Sequence, residues 1–89
     1  MPYITNEERA RIKEGLPPEN AGQLNYVIHL VIAEYLYSKG ENYQTCNDIM
    51  GALEGVKQEF YRRRVAAYED KKIAENGDIQ FYQPYIGLP

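Results

Sequence analysis

Residues 21–39, AGQLNYVIHLVIAEYLYSK, decide how this chain is read. Asn20 precedes them as a helix cap and Gly40 follows as a stop, so the spacing predicts one helix over Ala21–Lys39. Leu24, Val27, Ile28, Val31 and Tyr35 recur at helical spacing and form one apolar stripe. Tyr26, Leu30, Ala33 and Tyr37 fall on the other side. A helix that is apolar nearly all round needs cover nearly all round. The chain has 89 residues, and a chain that short buries too little surface to supply that cover itself. A second subunit is the expected source.

Before this segment, Thr5 and Glu8 have the spacing of a capping box, which predicts a short helix over about Asn6–Glu14. Gly15, Pro17 and Pro18 end it. After it, 41–45 (ENYQT) reads as a loop, with Thr45 or Asn47 capping a long third helix that stops near Asn76–Gly77. From Asn47 to Glu75 that helix spans roughly 43 Å and outruns the second helix by more than two turns. Residues 78–89 carry Pro84, Gly87 and Pro89 and read as a non-helical arm. Its Ile79, Phe81, Tyr82, Tyr85 and Ile86 are too apolar for a free tail. The expected fold is all-α: a single domain over 1–89, with a short first helix, two main helices as a helical hairpin, an extended arm, and assembly into a homo-oligomer.

Composition narrows the function classes. The single cysteine, Cys46, excludes an internal disulfide and suits a reducing cytoplasm. The polar N-terminus shows no signal peptide, and the apolar stretch 26–37 is too short and too interrupted for a membrane span. A net charge of −3 argues against a nucleic-acid polymer as partner. His29 has no metal-ligand spacing around it, Cys46 reads as a packed thiol, and no cofactor motif occurs. Glu75 and Asp78 mimic half of a magnesium-binding acid pair but straddle the Asn76–Gly77 stop. An enzyme is therefore not expected.

The unusual feature is 59–72, EFYRRRVAAYEDKK. Lys57–Lys72 holds six cations against three anions in an acidic protein that also carries nine tyrosines. On a regular helix Ile49, Leu53, Val56, Phe60 and Ala67 form a core stripe, which Arg63 and Arg64 flank while Arg62 points away. Lys57, Tyr61, Arg64, Tyr68 and Lys72 form a second line at steps of three and four. Tyrosine faces stack on bases, and guanidinium forks hold phosphate in a bidentate grip. The alternative is that tyrosines and arginines stack on one another or on a neighbouring helix while the lysines stay solvated. Glu59 is placed to pair with Arg62 or Arg63, and Glu69 with Lys72. Gly51 and Gly55 weaken the helix unless another backbone or a ligand comes close.

The blocks LNYVI, NDIMGALEGVKQEFYRR and YEDKKIAENGDI, with the opening MPYI, resemble a family of small proteins of unknown function from tailed phages and prokaryotic genomes. The resemblance covers most of the chain. The family pattern has Val at the position of Arg64 and Pro at that of Ala67, which implies a straighter helix here and shifts weight to Arg62, Arg63, Tyr68, Lys71 and Lys72. The pattern is also similar to phage sponge proteins, small oligomers that sequester cyclic-nucleotide immune signals (the anti-CBASS proteins). That similarity implies a non-catalytic binder acting in a host cytoplasm. Tyr61 and Tyr68 would stack on bases, and Arg62, Arg63, Arg64, Lys71 and Lys72 would meet phosphates. Tyr3 or the C-terminal tyrosines of another chain would close the site. The competing expectation is a structural, protein-interaction oligomer without a small-molecule ligand.

Overall fold

The computed structural model describes residues 4–82. Among these the chain is all-helical, with no strand. The helices are α1 (Asn6–Lys13), α2 (Ala21–Lys39) and α3 (Tyr43–Phe60); a π-helical segment over Tyr61–Val65 follows, and α4 (Ala66–Asn76) continues from it. The chain divides into two compact units, Met1–Ile49 and Met50–Pro89. Tyr3, Tyr85 and Ile86, expected to help close a site or dock an arm, lie outside the described residues.

In the first unit the local signals act as anticipated. The Thr5 hydroxyl accepts from the Glu8 amide at 3.1 Å, and the Glu8 carboxylate accepts from the Thr5 amide at 2.9 Å. Each bond satisfies an amide that the helix start leaves unpaired. Asn20 caps α2 by accepting from the Gln23 amide, and Gly40 ends it at φ +87°, a conformation that glycine adopts without a Cβ penalty.

α1 packs on α2 around a polar clasp. The Gln23 side chain is almost wholly buried, at 3% exposure. Its amide nitrogen donates to the Glu8 carboxylate at 2.8 Å. Its oxygen accepts from the Glu19 amide at 2.8 Å and from Arg11 at 3.2 Å. Arg11 also donates to the Pro17 carbonyl at 2.7 Å and pairs with Glu19 at 3.3 Å. One side chain thus fixes α1, the Pro17–Pro18 linker and the start of α2. The hydrogen bonds from Gln23 and from the Thr5 amide hold the Glu8 carboxyl well below its usual range, at about 2.

The third helix departs from expectation at its start. It begins at Tyr43, so 43–45 are helix and not loop. The cap is Asn42, whose side-chain oxygen accepts from the Thr45 amide at 2.9 Å. Asn is as good a cap as Thr, and its use lets Thr45 turn inward, where it is buried. Cys46 is exposed in the first turns of α3, not packed. Tyr35 of α2 donates to Asp48 of α3 at 3.2 Å.

The cover required for α2 is not supplied by the first unit. Leu24 is 50% exposed and Val31 62%. Only Ile4 and Ile12 are buried apolar residues among those described. No helix among the described residues is long and apolar enough to cross a membrane.

Candidate functional site: an exposed basic–aromatic π-turn

The basic segment YRRRV is the π-helical turn, not a stretch of regular helix. The Ala66 amide donates to the Tyr61 carbonyl five residues back. One residue more per turn shifts the helical phase by roughly 100° between α3 and α4. Residues eight apart across the turn come onto one line, and the Tyr61 hydroxyl accordingly donates to Glu69 at 2.6 Å. That hydrogen bond to a carboxylate, with the adjoining negative charge, raises the Tyr61 hydroxyl above its ordinary pKa.

Most cations of the segment are held in local ion pairs. Glu59 accepts from both Arg62 (2.8 Å) and Arg63 (2.9 Å). Lys72 pairs with Glu75 at 3.3 Å, not with Glu69, which Tyr61 occupies. The Lys72 ammonium also lies 5.4 Å from the centre of the Tyr68 ring, a cation–π arrangement. Lys57 reaches Glu54 only at 4.0 Å. Among the described residues, Arg64 and Lys71 have no hydrogen-bond or ion-pair partner. Steps of four and three from Arg64 to Tyr68 to Lys71 set these two free cations beside an aromatic ring that is 60% exposed.

Arg63 and Arg64 flank the apolar stripe, as the helical wheel anticipates. Both line an open concavity of about 710 Å³ whose floor is Ala52, Gly55, Val56 and Phe60, with Glu59 at its side. Every residue from Met50 to Arg64 is exposed. No group of three His, Cys, Asp or Glu side chains among the described residues is arranged to hold a metal ion.

Fold and site together define a small all-helical protein whose longest helix is broken by a basic π-turn. Residues 1–79 match the family described as Domain of unknown function (DUF6899), and the chain belongs to that family. No curated protein and no solved structure matches it.

Proposed function

We propose that this chain is a non-catalytic binding protein that assembles with copies of itself and captures an anionic nucleotide. One observation carries the reading: Arg64 and Lys71, four residues before and three after the exposed Tyr68, are unpaired cations, and Lys72 already lies against the Tyr68 ring. Unpaired cations are ready to meet phosphate oxygens, and an open tyrosine face stacks on a base without regard to its identity. Arg62, Arg63 and Lys72 take a lesser part, because Arg62 and Arg63 share the Glu59 carboxylate and Lys72 pairs with Glu75. Tyr61 donates its hydroxyl to Glu69, which fixes the orientation of a ring that stays 48% exposed and able to stack on a base. π-Turns occur often at functional sites, which fits the placing of three arginines in this one. The similarity to phage cyclic-nucleotide sponges points to a cyclic nucleotide of bacterial immunity as the ligand class.

Isothermal titration against cyclic and linear nucleotides, with protein at tens of micromolar, tests the reading. Heat with one of them, lost in Arg64→Ala, is expected. No heat with any member of the panel would sink it.

A second reading has its own support. Glu59 binds both Arg62 and Arg63 inside the same helix, as expected if those arginines brace a protein interface. In that case Arg63→Glu disrupts assembly and no nucleotide is involved. An oligomer that survives Arg63→Glu favours the first reading.

A further inference from the structure

We infer that the face of α3 formed by Ala52, Gly55, Val56 and Phe60 is where a second copy of this chain seats, antiparallel and about a two-fold axis near Val56. This rests on the self-assembly part of the proposed function and not on nucleotide binding. Four observations carry it.

The first is exposure. All fifteen residues from Met50 to Arg64 are exposed, including Met50 (67%), Val56 (69%) and Phe60 (61%). A helix solvated on every side is marginal in water, and most helical stability comes from packing an apolar face. The second is chemistry. The floor of the concavity, Ala52, Gly55, Val56 and Phe60, carries no polar side chain, so it gains by burial against a like apolar face.

Shape is the third observation. The floor of the concavity is graded, small at its N-terminal end (Ala52, Gly55) and large at its C-terminal end (Phe60, Arg63, Arg64). Antiparallel pairing puts the large end of one copy over the small end of the other throughout; parallel pairing sets Phe60 on Phe60 and leaves Gly55 facing Gly55. Gly55 fits this arrangement: outside the backbone of its own helix, a Cβ there would meet nothing within 4 Å, so no other part of the chain requires the glycine. The fourth is charge. Parallel pairing juxtaposes Arg63 and Arg64 with their own copies. The antiparallel pair separates the two arginine clusters by roughly 20 Å, more than twice the screening length of about 8 Å at physiological salt. A two-fold interface must be self-complementary, and this face is so in one direction only.

Two measurements, both without nucleotide, test the proposal. Native mass spectrometry at 1–100 µM should give an even number of chains for the natural sequence. Gly55→Leu, which fills the small end with a better helix former, should cut that mass to half or less while helicity by circular dichroism holds or rises. In a Cys46→Ser background, Val56→Cys should form disulfide dimers under mild oxidation and Arg64→Cys should not. A monomer at 100 µM, a Gly55→Leu chain of undiminished mass, or cross-linking through Arg64→Cys would each overturn it. Should Gly55→Leu fail to fold, the cross-linking pair still decides.

Discussion

At the scale of single residues, Gln23 does more than its position in an apolar helix suggests. It is buried, and its side chain satisfies three partners: Glu8, the Glu19 amide and Arg11. Gln23→Ala strands these groups and should cost roughly 1–3 kcal/mol, read as a lower urea midpoint at unchanged slope. An unchanged midpoint would show that water replaces the clasp freely. Glu8, at the other end of the clasp, makes stability depend on pH. Its carboxyl sits at about 2 in the folded chain against 4.5 ordinarily. A depressed carboxyl stabilises the fold above its unfolded pKa, and the benefit fades as pH falls from about 4.5 toward 2. Thermal midpoints should therefore drop across that window, and Glu8→Gln should flatten the drop. A profile with the same slope in both proteins would remove Glu8 as its cause. At the π-turn, Arg64→Ala should weaken nucleotide binding at least about tenfold, an effect of the size a charge-assisted contact supplies. Arg62→Ala should change it little, since Glu59 already holds that guanidinium.

Among elements, the helix ends were the most legible part of the sequence. Thr5 with Glu8, Asn20, Gly40 and Gly77 each act through short-range chemistry, and each delimits a helix where its residue type predicts. The start of α3 was misplaced because 42–47 offers three competent caps, Asn42, Thr45 and Asn47, and local propensity does not rank them. Burial of Thr45 decides the choice, and that is a tertiary fact. The π-turn was not legible at all. A helical wheel assumes one period from end to end, so it placed Lys57, Tyr61, Arg64, Tyr68 and Lys72 on one line that the extra residue breaks. Only the i to i+8 pairing of Tyr61 with Glu69 marks the shift, and without the fold nothing distinguishes it from chance. The basic residues themselves are legible from composition; which of them already hold a carboxylate is not. The turn also makes an element-scale prediction. Deleting Arg62 shortens Tyr61–Val65 by one residue and lets the turn close as regular helix. Helicity by circular dichroism should be retained, because a π-turn is the less favourable geometry, and nucleotide binding should persist, because Arg64, Tyr68 and Lys71 keep their steps of four and three on one face. Binding lost in the deletion would mean that the site needs the π-turn itself.

For the whole molecule, the two units set the terms on which the chain is stable. Leu24, Ile28 and Val31 in the first, and Val56 and Phe60 in the second, are all at least 40% exposed, so little apolar burial within the chain offsets the entropy of ordering it. A protein whose cover comes from its own copies gains that burial only on association, and its stability then depends on concentration by mass action. For a dimer that unfolds as it dissociates, each tenfold rise in concentration adds about 1.4 kcal/mol per dimer, or about 0.7 per chain. With the enthalpy and entropy usual for a chain of this length, that moves the thermal midpoint by about 3–6 °C per decade. Differential scanning calorimetry from 10 µM to 1 mM should therefore show the midpoint rising by about 6–12 °C. A Gly55→Leu chain, deprived of the α3 seam, should melt lower and at a midpoint nearly independent of concentration. A natural chain whose midpoint is flat over the same range would mean that each unit stands on its own, and that the exposed faces of α2 and α3 contribute nothing to stability through self-association.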